Sequence, residues 1–135
     1  MWRFARVSTP AVNIVCFVAN ESDRSLMREL CRRNQWGLSF PESRIQAERT
    51  LHELKPQIML LDRDLAGQEW RQFVAGFAAA SPGACIMLLS KVIDDNLWND
   101  LVSNGGYELL RKPLGEEEVS RAVRMARSYW SSTVK

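Results

Sequence analysis

The stretch Gln57-Ile58-Met59-Leu60-Leu61-Asp62 sets four consecutive apolar residues before an acid and is entered from Pro56. A run of this length, introduced by proline, predicts a short strand buried on both faces. An ionised carboxylate at the end of such a strand is costly unless something at the surface uses it. Ligands of open α/β sheets sit outside the carboxyl ends of the strands, so Asp62 marks the expected site. The competing reading of Asp62 is a solvated loop acid that only stops the strand.

Working outward, Ile14-Val15-Cys16-Phe17-Val18 is a second doubly buried strand, and Ala84-Cys85-Ile86-Met87-Leu88-Leu89, ending at Ser90, is a third. Trp36 to Phe40 and Tyr107 to Leu110 predict two shorter strands, the latter followed by Lys112-Pro113. Helical spacing fills the gaps. Leu26, Met27, Leu30 and Cys31 form one stripe behind an N-cap at Ser22 or Asp23, and Ile45, Ala47, Leu51 and Leu54 form a thin one behind Ser43. A loop over 63–69 leads to Trp70, Phe73, Val74 and Phe77. Asp94-Asp95 then open a helix with Leu97, Trp98, Leu101 and Val102, stopped at Asn104-Gly105-Gly106. The last helix starts near Gly115 and carries Val119, Ala122, Val123, Ala126 and Trp130 on one face.

Strand and helix alternate five times with short connections, which predicts an α/β fold: one doubly wound five-stranded parallel sheet with helices on both faces. The expected domain covers 13–130, with a lead-in over 1–12 and a short tail over 131–135. A chain of 135 residues is long enough to close one core without disulfides or metal. Eighteen basic and sixteen acidic residues are interspersed, so nothing advertises a nucleic-acid or membrane surface. Cys16, Cys31 and Cys85 are an odd set without metal-type spacing and read as reduced core cysteines of a cytoplasmic protein. His52 reads as an exposed surface residue. Trp70 and Trp98 fall in helical stripes and read as core or partly buried, whereas Trp130 is the interface candidate.

Asp62, Ser90 and Lys112 each close a strand, and the topology brings the three ends together. This pattern, an acid closing the third strand, a serine closing the fourth and Lys-Pro after the fifth, resembles the receiver domain of bacterial two-component response regulators, which has a flavodoxin-like fold. The resemblance covers about residues 13–130. It implies that Asp62 is the phosphoacceptor, that Ser90 contacts the phosphoryl group and relays its presence, and that Lys112 pairs with it through an often cis Lys112-Pro113 bond. It implies a signalling module rather than an enzyme, served by a sensor histidine kinase or phosphotransfer protein. Output would pass to a downstream protein, or to self-association, through residues 94–130. Mg²⁺ is the implied cofactor, with Asp62 among its ligands.

The chain also departs from that pattern. Ala19-Asn20 stand where the family has two adjacent acids, leaving Asn20, Glu21 and Asp64 as the remaining candidate metal ligands beside Asp62. The expected outcome is weak magnesium binding or none. Glu21 reads equally as a first-turn helix acid. Lys91 stands where a small residue usually follows the serine, Ala66 where proline is common, and Leu109 at the aromatic switch position. Tyr107 lies two residues before Leu109, and strand alternation predicts the same face for both.

The second functional reading is a degenerate receiver that binds partners, or dimerises, without phosphorylation. A third, enzymatic reading compares Asp62-Arg63-Asp64 with the nucleophile motif of haloacid-dehalogenase-type phosphatases. That motif usually opens the chain, and no late acid cluster completes it here. A flavin site is disfavoured because the loop after the first strand lacks a Ser/Thr/Gly phosphate cradle.

Overall fold

The computed structural model describes residues 12–133, with the backbone alone from Trp130 onward. The strands are β1 (Asn13–Phe17), β2 (Gly37–Ser39), β3 (Ile58–Asp62), β4 (Cys85–Ser90) and β5 (Glu108–Arg111). All pair in parallel in the order β2-β1-β3-β4-β5, so the stretch that opened the sequence reading is the middle strand. Every residue of β3 and β4 is buried, as continuous apolar runs in a doubly covered sheet require.

The helices are α1 (Glu21–Asn34), α2 (Arg44–Leu54), the single turn α3 (Arg63–Ala66), α4 (Trp70–Ala80), α5 (Asp95–Ser103) and α6 (Glu116–Thr133). On one face of the sheet Ile14, Cys16, Ile58, Leu60, Met87 and Leu89 pack against Met27 and Leu30 of α1 and Val119 and Val123 of α6. On the other, Val15, Met59, Leu61, Ile86 and Leu88 meet Leu51 of α2, Val74 and Phe77 of α4, and Leu97 and Leu101 of α5. Burying each such side chain contributes about 1.5–3 kcal/mol relative to leaving it in water. The three cysteines are buried and unpaired, as expected. Among the described residues no helix is long and apolar enough to cross a membrane.

Several expectations need correction. The α1 cap is Asn20, not Ser22 or Asp23; its Oδ1 accepts the Ser22 and Asp23 N–H groups at 2.9 and 3.2 Å. The segment 63–69 is not an open loop, because Asp62 caps α3 and a 3₁₀ turn over Gly67–Glu69 runs on into α4. Ile45 is 70% exposed and Trp98 40%, so neither belongs to the core; Ala47 and Leu51 bury the α2 stripe without Ile45. Tyr107 and Leu109 lie on opposite faces: β5 begins only at Glu108, after the Gly105-Gly106 turn, so strand alternation does not extend back to Tyr107. Val12, placed in the lead-in by the sequence, is fully buried, and its carbonyl accepts the Gly37 N–H at 2.8 Å. The rest of the lead-in, and the Trp130 side chain, lie outside the described residues.

Candidate functional site

Asp62 ends β3 in extended backbone and turns the chain into α3, its Oδ1 accepting the Asp64 N–H at 2.9 Å. The Lys112 ammonium reaches it from beyond β5, 2.8 Å from Oδ1 and 3.0 Å from Oδ2. The two side chains are 3% and 8% exposed, so Asp62 is no solvated loop acid and Lys112 no solvated loop lysine. A carboxylate this deep is tolerated because a cation neutralises it and hydrogen bonds satisfy its lone pairs. Lys112 also donates to Oδ2 of Asp64 at 3.0 Å, a carboxylate that is 62% exposed. Burial opposes the charge on Lys112, but its hydrogen bonds to Asp62 and Asp64 prevail and raise its pKa. The Lys112 hydrogen bond, assisted by the Lys112, Lys91 and Arg63 charges, holds the Asp64 carboxyl below its ordinary value.

The chain around Lys112 is fixed at three points. Its own N–H donates to the Ser90 carbonyl at 3.1 Å, the Lys112-Pro113 bond is cis, and the Leu114 N–H donates to Oδ1 of Asp23 at 3.0 Å. Asp23 is 2% exposed and ties the first turn of α1 to the segment that presents Lys112. Sequence reading considered Asp23 only as a cap. Its actual partner lies 91 residues away, a distance no local pattern reports.

Ser90 ends β4 beside β3 and is buried. Its hydroxyl donates to the Val92 carbonyl at 2.7 Å and accepts from the Val92 N–H and from Nη1 of Arg63, each at 3.3 Å. Sequence reading passed over Arg63 as a loop residue. Its guanidinium lies 5.7 Å from the Trp70 ring centroid, which keeps it over the site. The only signal in the sequence was a basic residue directly after Asp62.

The remaining candidates are directed elsewhere. Asn20 spends its side-chain oxygen on the α1 cap, where it also accepts from the Ser22 hydroxyl at 2.6 Å. Glu21 pairs with Arg28 at 2.9 Å on the exposed side of α1, and that hydrogen bond lowers its pKa. Asp62 and Asp64 are therefore the two carboxylates the structure brings together, and Lys112 already bridges them. Magnesium asks for near-octahedral oxygen ligation. Among the described residues no group of three or more His, Cys, Asp or Glu side chains stands together, so the site offers a magnesium ion two carboxylates, Asp62 and Asp64, both held by the Lys112 ammonium, which makes it a poor magnesium site as arranged here.

No protein-family profile matches the sequence, and no curated protein matches it either. Solved structures do. The chain is similar to the signal receiver domain of an HD domain-containing protein from Pseudomonas fluorescens, with a TM-score of 0.79 and 20% identity over 93% of each chain. It is similar to a response regulator from Thermotoga maritima, with a TM-score of 0.78 and 16% identity over 90% of this chain and 99% of that one. A two-component response regulator from Clostridium difficile gives a TM-score of 0.72 and 14% identity over 85% and 94% of the two chains. The fold is that of response regulator receiver domains.

Proposed function

We propose that the chain is a receiver of two-component signalling in which Asp62 accepts a phosphoryl group from a phosphohistidine on a sensor histidine kinase or phosphotransfer protein. The observation that carries this reading is the buried Asp62–Lys112 pair at the carboxyl edge of the sheet, with the Ser90 hydroxyl on the neighbouring strand end. Phosphoryl transfer asks mainly for positioning and charge neutralisation, and a carboxylate serves as nucleophile once both are supplied. The Asp64 N–H and Lys112 hold the Asp62 carboxylate in one orientation. Oδ1 accepts two hydrogen bonds and Oδ2 one, so Oδ2 keeps more lone-pair density for attack on phosphorus. Lys112 then neutralises the new charge.

Ser90 is the relay. A phosphoryl group on Asp62 competes for the hydroxyl that now donates to the Val92 carbonyl, so its arrival loosens the turn after β4. That turn leads to α5, and the segment 94–130 carries exposed apolar side chains at Trp98, Val102 and Met125 that suit a protein partner or self-association. Leu109 has no ring to swing, so the change passes through the 91–93 backbone. The test is incubation with acetyl phosphate and intact-mass measurement. One phosphoryl addition to the wild type, absent from Asp62→Asn, is the expected result; no addition under conditions that label an established receiver overturns the reading and leaves phosphorylation-independent partner binding as the role.

A further inference from the structure

We propose that Arg63 neutralises the phosphoryl group on Asp62 in place of a divalent metal, so that the site accepts phosphoryl groups without Mg²⁺. The inference rests on the reading of Asp62 as the phosphoacceptor and deepens it. Three observations lead to it. The donors a metal would use are engaged elsewhere: the Asn20 oxygen caps a helix, Glu21 pairs with Arg28, and Lys112 holds both oxygens of Asp62 and one of Asp64. Arg63 is half-buried rather than extended into solvent, held by the Trp70 ring at 5.7 Å and by Ser90 Oγ at 3.3 Å. Arg63 also lines an open cleft of about 470 Å³ with Asp64, Gln68, Trp70 and Arg71, beside the turn that Asp62 caps.

Charge and geometry agree. Lys112 is paired with both Asp62 and Asp64, and the Arg63 guanidinium lies against Ser90 at the neighbouring strand end, so a second cation stands at the site beside the one that bridges the carboxylates. A guanidinium presents several N–H donors in a planar fork that matches two phosphoryl oxygens at once. With one N–H already on the Ser90 hydroxyl, where a phosphoryl group on Asp62 is to be met, its other donors turn toward the same oxygens with little reorganisation. In the step itself a bond forms between phosphorus and an Asp62 carboxylate oxygen. The bond from phosphorus to the leaving group breaks, and the leaving group departs with that electron pair; no oxidant or reductant takes part.

The experiment is acetyl phosphate labelling read by intact mass, in EDTA and in excess Mg²⁺, for the wild type, Arg63→Gln, Arg63→Lys and Asp62→Asn, with calorimetric titration of Mg²⁺ into the wild type. Equal labelling of the wild type in both buffers is expected, with no heat of Mg²⁺ binding. Arg63→Gln should lose at least about tenfold in labelling rate in EDTA, with Arg63→Lys intermediate. Labelling that requires Mg²⁺ overturns the inference while leaving Asp62 as phosphoacceptor. Undiminished labelling of Arg63→Gln in EDTA does the same. If Arg63→Gln fails to fold, the wild-type comparison of the two buffers and the calorimetry still decide. Absence of label in every condition removes the Asp62 reading, and this inference with it.

Discussion

Lys112 Nζ lies 2.8 Å from Asp62 Oδ1 at a depth where 8% and 3% of the two side chains reach solvent. The pair joins residues 50 positions apart, one at the end of β3 and the other just past β5, so it forms only once β3, β4 and β5 are assembled. Fold and site depend on it together. Removing one partner strands a buried charge.

Lys112→Met should therefore lower the unfolding free energy by about 3–5 kcal/mol, measured by urea denaturation. Adding Asp62→Asn to that variant should recover much of the loss, because the buried charge is then gone. A Lys112→Met protein of wild-type stability would show that the pair is solvated.

Asp23 makes a narrower contribution. Asp23→Ala leaves the Leu114 N–H without its acceptor and should cost about 1–3 kcal/mol. It should also slow labelling of Asp62, since the segment presenting Lys112 is loosened, whereas Asp23→Asn keeps an acceptor oxygen and should stay close to wild type in both measurements.

Ser90→Ala removes the acceptor for the Val92 N–H and the donor to the Val92 carbonyl. Amide hydrogen exchange at Val92 should accelerate by up to about tenfold, with the core strands unchanged. Unaltered exchange at Val92 would mean that Ser90 does not hold this turn and would remove the proposed relay.

Much of this was legible in the sequence because each strand is buried on both faces and each helix on one, so apolar runs and 3.6-residue stripes alternate cleanly. Asp62, Ser90 and Lys112 were visible as polar residues at the ends of such runs. Asp23 and Arg63 were not, since one acts through a backbone N–H of a distant loop and the other through a contact with Ser90, 27 residues away, beside the Trp70 ring. The misplacement of Tyr107 has a similar origin: an alternation pattern assumes a strand, and Gly105, with φ of 99°, turns the chain before the strand begins. Asn20 is a metal candidate in the sequence only because it stands at one of the two acid positions of the resembled family; its role as the α1 cap is masked by Ser22 and Asp23, which follow it and are equally good capping residues.

The buried thiols predict a pH dependence. Burial raises the Cys31 and Cys85 pKa values from 9.0 to about 11, and raises that of Cys16 further. A raised pKa means that the folded chain keeps protons the unfolded chain releases, so the associated stability is fully present below the unfolded value and declines as pH rises above it. Stability should begin to fall near pH 9, where the unfolded thiols ionise. The Lys112 contribution has the same sign, its pKa also being raised, and should start to disappear only above the ordinary lysine value of 10.5. Replacing Cys31 and Cys85 by alanine should leave the onset near pH 9, which Cys16 still sets, and make the decline shallower, as read from urea midpoints across the alkaline range.

The most direct test of the account is to locate the phosphoryl group. Phosphorylated protein would be reduced with borohydride, which converts an aspartyl phosphate to homoserine, then digested and its peptides weighed. The account predicts homoserine at position 62 and at no other acid, and none in Asp62→Asn. Homoserine at Asp64 or elsewhere, with Asp62 unmodified, would contradict it.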